Sequence, residues 1–468
     1  MSHNNTVNNI HTKKIANFVS TLTYDSVPQD VRDRIKLLIL DSLGCGLYGA
    51  NLQWAKILKE TLAEVDTTYQ QGSTLWGTAE RLSAPHAALV NGTQIQGFEL
   101  DDVHRHGVLH VGAVTLPGLI CIAERGGLSG ADFLTAAVAG YEIGPRVGIA
   151  MGQEHIGQGW HSGATVGVFS AAAGAAKGLG LNTEETIHSL GIAGTQSSGL
   201  MAAQYGAMVK RMHAGRAAQS GLYGALLASK GFTGIVDVFE SPYGGFCTTF
   251  SRSTDRFDLN ELSAGLGEEF ETLRISLKFY SCVGSNHTSL DAIRKIRERR
   301  PFEVHEIEKI VIYGSQVTAD HVGWDYRPEG LTSAQLNLPF CVATLLLEGD
   351  VFVEQFKPED VYDSNRIELS KSVDVREDTE ITALGSKFRH KVRVEIHYRG
   401  GHIETETCEA PRGSEYSFAS ESDIVDKFRK LTNKVMATAQ QEQLIDAVLG
   451  MEKLTNATDL TKLLQVQG

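Results

Sequence analysis

The chain has 468 residues, 42% of them hydrophobic, and a formal net charge of −13. That length suffices for two or more domains, and the negative charge argues against a nucleic-acid or membrane partner without excluding a locally basic site. Six scattered cysteines without a CxxC pair do not fit a zinc ribbon, an iron–sulfur cluster or a disulfide scaffold. With no secretory signal and no bilayer-length apolar run, we expect a cytoplasmic protein.

The first half of the chain has apolar residues at helical spacing. The pattern begins after Pro28, with Val31, Ile35, Leu38, Ile39 and Leu43. The same spacing predicts further helices over residues 84–98, 114–126, 131–150, 161–180, 184–200 and 213–230. These segments are rich in Ala and Gly, which let two helix backbones approach closely, so we expect a compact bundle.

The pattern changes after about residue 265. Residues 308–314 carry a β-branched run, and residues 391–407 alternate between apolar and charged side chains around Gly400-Gly401, which predicts a β-hairpin. Helical segments are predicted near 286–299 and 333–349.

From about residue 420 the helical pattern returns, and Ser420 with Asp423 forms a plausible capping box. The predicted fold class is therefore mainly α with a smaller α+β domain. We expect a helical domain over 1–268, an α+β domain over 269–408, and a helical tail over 409–468 that rejoins the first domain.

The densest group of ionisable side chains is DDVHRHGVLH, residues 101–110. Asp101 and Asp102 are followed by three histidines, His104, His106 and His110. Histidine exchanges protons near neutral pH, and a neighbouring carboxylate can fix its tautomer. We interpret the cluster as a general acid–base site. A solvated polar loop and a metal site are the alternatives, although the spacing matches neither HExxH nor a calcium loop.

Three other segments place cationic or histidine side chains among small or apolar residues. They contribute His161 before an Ala-rich helix, Lys210 and Arg211 in an Ala- and Met-rich stretch, and Lys278 followed by His287. Each also has an ordinary interpretation, as a helix cap or an exposed helix end.

The segment that carries Lys278 also contains Cys282, which is best interpreted as a buried thiol. No phosphate loop, GxGxxG fingerprint or GxSxG elbow accompanies these groups, so we expect no cofactor and no metal. Cations together with acid–base histidines suit chemistry on a small polycarboxylic acid.

At these residues the chain resembles the MmgE/PrpD family over almost its whole length. The motifs that carry the resemblance are ILDSLGCGLYGA (39–50), ELDDVH…LH (99–110), GWHSGATVG (159–167), GIAGTQSSGLMAAQYGAMVKRMHAGRAAQSG (191–221), SPYGGF (241–246) and LKFYSCVGSNH (277–287). The family includes 2-methylcitrate dehydratases, cis-aconitate decarboxylases and an iminodisuccinate epimerase branch. The resemblance implies a helical-bundle domain with a smaller α+β lid domain, and a homodimer.

The resemblance also implies roles for individual residues. The catalytic set it implies is His110, His161, Lys210, Lys278 and Asp101. The substrate-binding set is Asp102, His104, Arg211 and His287. His110 is the proton donor, and the lysines clamp substrate carboxylates.

The motifs are most similar to those of cis-aconitate decarboxylases, which implies a lyase that forms itaconate. Dehydratases of the methylcitrate type tend to read NDTW where this chain reads DDVH, and the decarboxylases carry tyrosine where Phe340 stands. That departure suggests a relative of cis-aconitate as substrate. Dehydration, epimerisation and a non-catalytic dicarboxylate-binding protein remain alternatives.

Overall fold

The computed structural model describes residues 10–67, 72–152, 154–205, 207–385 and 388–466. Contacts divide the chain into two compact units. The first unit consists of the chain up to Gly97, residues Asp101–Ser276 and the chain from Ser420 onward. The second unit consists of Phe98–Leu100 and Leu277–Ala419. The long boundaries thus fall after residues 276 and 419, where the sequence prediction places them after 268 and 408.

The first unit is helical and carries two short antiparallel ladders, β1–β2 and β3–β4. Its elements up to residue 276 are α1 (Ile10–Thr21), α2 (Gln29–Gly49), α3 (Gln53–Val65), β1 (Ser73–Thr74), β2 (Arg81–Leu82), α4 (Ala84–Ile95), β3 (Val103–His104), α5 (Val111–Gly126), α6 (Gly130–Met151), α7 (Glu154–Gly157), α8 (Ser162–Thr165), α9 (Gly167–Gly178), α10 (Thr183–Gly194), α11 (Val209–Ala228), α12 (Phe246–Ser251) and β4 (Ile275–Ser276).

The second unit combines helices with a four-stranded sheet. Its elements are α13 (Gly284–Arg299), β5 (Ile307–Gly314), α14 (Gln316–Val322), α15 (Leu331–Leu336), α16 (Leu338–Glu348), α17 (Ser364–Ser370), β6 (Val373–Glu377), α18 (Thr379–Ala383), β7 (Val392–Tyr398) and β8 (Ile403–Cys408). The first unit is completed by α19 (Glu421–Thr432), α20 (Thr438–Leu449) and α21 (Thr458–Leu463). The predicted fold class, mainly α with a smaller α+β domain, is confirmed.

Small residues bring the central helices of the first unit close together. A Cβ on Gly92 of α4 would lie 2.7 Å from the Cα of Gly215 on α11. A Cβ on Gly140 of α6 would lie 2.9 Å from the carbonyl oxygen of Ser170 on α9. The Gly- and Ala-rich composition of these helices therefore serves close backbone packing, as predicted.

The predicted helix over 184–200 is too long. Helix α10 ends at Gly194, and the following chain pairs with the segment that carries His161. His161 N donates to Gly199 O over 3.1 Å, and Met201 N donates to Gly159 O over 2.9 Å. These backbone bonds outweigh the helical pattern of the last predicted residues. The predicted helix over 161–180 is likewise divided, into α8 and α9.

The sheet of the second unit has the strand order β6-β5-β7-β8. Strand β5 runs parallel to β6 and antiparallel to β7, and β7 and β8 form the predicted hairpin. Gly401 occupies the turn at φ +79°, a conformation that favours glycine. Every second residue of β7 is buried, in agreement with the alternation in the sequence. Strand β6 was not predicted.

Within the described ranges, no single helix has the length and apolarity needed to cross a membrane. Helices α2 and α3 pass such a test only as a pair bent by 78°, on length and composition alone. Most of α2 is buried within the first unit.

We expect Gly215→Ala to lower the free energy of unfolding by about 1–3 kcal/mol, because overpacking strains a filled interior. The new Cβ would lie 2.6 Å from Thr93 Oγ1 and 2.9 Å from Thr93 N on α4. Gly126→Ala, at the end of α5, is the matched control: no atom lies within 4 Å of its Cβ, and alanine favours the helix. Urea unfolding followed by circular dichroism measures both, and equal stabilities would contradict the close packing of α4 on α11.

Candidate active site

A buried aspartate and a partly exposed histidine form a pair at the start of α5. Asp101 is fully buried, and His110, the residue before α5, keeps 17% of its side chain exposed. The His110 Nδ1 and Asp101 Oδ2 atoms are 2.9 Å apart. Because an ionised carboxylate can only accept, Nδ1 carries the proton and donates it to Asp101. Nε2 is therefore the nitrogen that can exchange a proton with a substrate.

Asp102, the adjacent carboxylate, caps the N-terminus of α5. Its two oxygens accept from the backbone N–H of Gly112, over 3.0 and 3.2 Å. Burial, the largest cause, and the neighbouring charge of Asp101 together raise the pKa of Asp102 to about 8. These contacts let Asp102 orient α5 and His110, the residue before α5. The predicted contact between Asp102 and a substrate stays a prediction.

His104 forms a second histidine–carboxylate pair, which lies deeper. Its Nε2 is 2.9 Å from Glu271 Oε2, and its Nδ1 accepts from the N–H of Gly107 over 2.9 Å. Both ring nitrogens thus stabilise the loop, and only 1% of the residue is exposed. Burial, the largest single effect, would raise the pKa of Glu271, but the hydrogen bond and charge of His104 together with the charges of Arg274 and Arg146 outweigh it and lower that pKa. This arrangement gives no support to the predicted substrate contact of His104.

The structure brings the predicted His161 next to His213, a histidine that was not among the predicted site residues. The rings of His161 and His213, the latter on α11, are 4.8 Å apart at an angle of 47°. Burial lowers the pKa of His213, and the nearby charge of Lys210 lowers it further. The His213 ring is therefore neutral at physiological pH. His161 and His213 do not form a short sequence motif such as HxxH. The contact between their rings in the structure therefore reveals the pair.

Lys210 and Arg211 lie in the first turn of α11. Lys210 is partly exposed and acts electrostatically on His213. Arg211 is buried, with its guanidinium 5.8 Å from the centre of the Trp54 ring. Lys210 therefore lies near the two histidines, at the start of α11 and the start of α8, whereas the contact of Arg211 is with Trp54 of α3.

One hydrogen bond links the His110 segment to the His161 segment. The hydroxyl of Ser162, the first residue of α8, donates to the carbonyl oxygen of Val108. Val108 has φ +49°, a left-handed conformation that is strained for a β-branched residue. The predicted proton donor and the predicted second histidine are therefore held by adjoining, fixed pieces of backbone.

A buried lysine, which sequence reasoning missed, lies among the carboxylates of the first unit. Lys427 of α19 places its Nζ 2.6 Å from Asp41 Oδ1 on α2, and neither side chain is more than 2% exposed. Burial alone would lower the pKa of Lys427, but the charge and hydrogen bond of Asp41, with smaller contributions from Cys45 and Asp101, together outweigh it and raise that pKa. The ammonium is thus retained in the interior.

The second unit carries the predicted Lys278. Its Nζ lies 3.2 Å from Glu99 Oε2, and both side chains are less than 10% exposed. Glu99 has φ +59°, a left-handed conformation that is uncommon outside glycine. Sequence reasoning missed Glu99, although it stands two residues before Asp101.

His287 and Phe340 are also buried in the second unit. His287, on α13, donates from Nε2 to the carbonyl oxygen of Cys282 over 3.1 Å and contacts the Tyr280 ring edge-on. Phe340, at the start of α16, is fully buried and stacks on Tyr326 with ring centres 4.2 Å apart. Burial raises the pKa of the Cys282 thiol well above its ordinary value, as expected of a structural cysteine.

Across the described part of the chain, no three His, Cys, Asp or Glu side chains converge on a position that could hold a metal ion. What the first unit does offer is a carboxylate-supported imidazole, the histidine pair of His161 and the neutral His213, and two cationic side chains. That set can move a proton and attract carboxylates.

Comparison with known proteins gives matches over nearly the whole chain. The model of the MmgE/PrpD N-terminal domain matches residues 13–258, and that of the C-terminal domain matches residues 280–453. A cis-aconitate decarboxylase-like protein of Aspergillus oryzae is 34% identical over 97% of both chains. The cis-aconitate decarboxylase of Aspergillus terreus is 34% identical over 97% of this chain and 95% of its own, and that of Mus musculus is 26% identical over 97% and 93%.

The raised pKa of Asp102 predicts a pH-dependent stability. The folded protein keeps this proton up to about pH 8, whereas an unfolded aspartate loses it near 3.8. Between these values the folded state binds one more proton, so stability falls as pH rises, by roughly 2 kcal/mol between pH 6 and pH 8. Asp102→Asn is neutral throughout and should lose this slope, as urea unfolding at several pH values would show.

The control is Asp459→Asn, which removes an exposed carboxylate from α21. It should retain the wild-type slope. A wild-type slope in Asp102→Asn would contradict the protonated state assigned to Asp102.

Proposed function

The chain belongs to the MmgE/PrpD family, and on that premise we propose that it is a cofactor-independent lyase that decarboxylates cis-aconitate to itaconate, or decarboxylates a close relative of cis-aconitate in the same way. The observation that carries the proposal is the buried Asp101–His110 pair, which leaves one ring nitrogen for proton transfer. Relatives named as cis-aconitate decarboxylases, similar to this chain over their full length, support it.

The proposed reaction requires little besides charge stabilisation and one proton. The bond between the methylene carbon of cis-aconitate and its carboxylate breaks, and the electron pair forms a new terminal double bond. The original double bond shifts its electrons onto the carbon beside another carboxylate, which gives an enolate-like anion. A proton added to that carbon yields itaconate, and carbon dioxide leaves. General acid catalysis and cationic contacts suffice for these steps.

His110 is the proposed general acid. Its Nδ1–H is fixed on Asp101, so its Nε2 is the atom that delivers the proton to carbon. The carboxylate stabilises the imidazolium before the transfer and holds the ring orientation during it. His161, beside the neutral His213, is proposed to orient the substrate or share the proton transfer.

The proposed carboxylate contacts come from lysine side chains. Lys210 in the first unit and Lys278 in the second are assigned this role by the family resemblance. Within its own unit Lys278 already lies 3.2 Å from the carboxylate of Glu99. A carboxylate is therefore a ligand that this ammonium accepts.

The substrate need not be cis-aconitate itself. Phe340 stands where related decarboxylases carry tyrosine, and its fully buried ring stacks on Tyr326. A site built around a hydroxyl discriminates strongly against its loss, so this position favours a polycarboxylate that differs from cis-aconitate at one polar group. Dehydration and epimerisation would use the same acid–base pair.

A substrate panel read by NMR tests the proposal. We expect incubation with cis-aconitate in D2O to give itaconate that carries one deuterium on its saturated CH2 carbon, and none on the terminal =CH2, because the proton comes from an exchangeable imidazole. 2-Methylcitrate and iminodisuccinate serve as parallel substrates. Turnover of either one without itaconate from cis-aconitate would replace decarboxylation by dehydration or epimerisation, and binding without any turnover would identify a non-catalytic protein.

We expect His110→Gln to reduce kcat by about 10²–10⁴-fold, the usual loss when one positioned general acid is removed. The fold should persist, because Asp102, rather than His110, caps α5. His402→Gln, at an exposed position on the β7–β8 hairpin, is the matched control and should keep wild-type turnover. Stopped assays of itaconate formation measure both, and near-wild-type turnover of His110→Gln would remove this residue from the mechanism.

A further inference from the structure

The buried ion pair between Lys427 and Asp41 has no place in the reaction described above. Moving two charges from water into a protein interior is costly, and packed apolar side chains of similar size are often at least as stabilising. The contact is nevertheless short, at 2.6 Å, and almost fully buried. A role beyond stability is therefore needed to explain it.

Attachment of the C-terminal segment does not require the charge. Helix α19 already packs on α2 through apolar side chains. A Cβ on Gly44 of α2 would lie 3.0 Å from Phe428 Cδ2 and 3.5 Å from Leu431 Cδ1. A methionine at position 427 would extend this apolar contact, since it is unbranched and adapts to irregular spaces.

The surroundings of Lys427 are acidic. Its ammonium interacts electrostatically with Asp41 and Cys45 on α2 and with Asp101 in the loop before α5. Asp102 interacts in turn with Asp101 and Asp41, and Tyr141 of α6 with Asp102 and Asp41. Lys427 therefore interacts with two buried aspartates, Asp41 and Asp101, and a third, Asp102, interacts with both of them.

Two buried contacts connect Lys427 to His110 through this cluster. Lys427 holds Asp41 over 2.6 Å, and His110 holds Asp101 over 2.9 Å. The ammonium of Lys427 also acts on Asp101. Burial raises the pKa values of Asp102, Cys45 and Tyr141, which favours the neutral forms of these three groups.

We propose that Lys427 is a positioning residue for the Asp101–His110 pair: together with Asp41 it sets the charge around Asp101 and, through Asp101, the strength with which His110 holds its proton. The role in turnover rests on the proposed function, but the charge balance itself does not. Without Lys427 no positive charge offsets Asp41 beside Asp101, and His110 retains its proton more strongly.

Three variants test this balance. Lys427→Met removes the positive charge, and Lys427→Met with Asp41→Asn removes both partners and restores the original net charge. Lys430→Met makes the same chemical change at an exposed position of the same helix. The primary measurement is the NMR titration of the His110 imidazole, whose signal is identified by its absence in His110→Gln. It requires no substrate.

We expect the His110 titration midpoint to rise by about one pH unit in Lys427→Met, and to return to the wild-type value in the double variant. Lys430→Met should leave it unchanged. The pH profile of kcat/KM should shift in parallel. A midpoint that stays at the wild-type value in Lys427→Met, or that shifts equally in the double variant, would overturn the proposal.

Two further outcomes are informative. If Lys427→Met fails to fold, Asp41→Asn alone changes the balance in the opposite direction, and the midpoint should fall; an unchanged midpoint would again overturn the proposal. If the midpoints move as expected but the protein decarboxylates no substrate, the charge balance stands and the proposed function fails.

Discussion

The hydrogen bond between Asp101 and His110 depends on an interior that holds several carboxylates away from water. A buried carboxyl group, ionised or protonated, is too costly to leave without a partner, so each one must have a donor or a counter-charge. Asp102 has the start of α5, Asp41 has Lys427, and Asp101 has His110. The packing follows from this requirement. Gly112 carries no side chain because a Cβ there would lie 2.8 Å from Tyr141 Oη, and the backbone N–H would then be kept from Asp102.

Local strain accompanies this arrangement. Two residues adopt left-handed backbone conformations on either side of the aspartates, Glu99 and the β-branched Val108. Such conformations cost on the order of 1–3 kcal/mol each and persist only when neighbouring contacts hold them. For Val108 the contacts are the hydroxyl of Ser162 and the paired backbone of His104 and Leu109. The strained backbone at Val108 lowers the stability of the folded state, and the contacts that hold it also hold the segment that leads to His110.

Local patterns were sufficient for most of the fold. The alternation in β7, the turn glycine at 401 and the Ser420 cap each follow from neighbouring residues, and the structure confirms them. The Lys427–Asp41 pair could not be found in this way, because its partners are separated by most of the chain. Each left a signal nonetheless: Lys427 lies on the apolar face of α19, and Asp41 interrupts an apolar run. The length of α10 was wrong because tertiary backbone pairing at Gly199 is not visible in helical spacing.

A histidine beside a carboxylate is not by itself a sign of catalysis, and this protein shows both cases within a few residues. His104 and His110 each pair with a carboxylate at 2.9 Å. His104 also accepts from Gly107, so protonating its second nitrogen would break a hydrogen bond that the loop needs. His110 uses one nitrogen for Asp101 and keeps part of its ring exposed, so its proton can move without loss of structure. The sequence presents the two histidines as equivalent, and the difference between them lies in what the second nitrogen contacts.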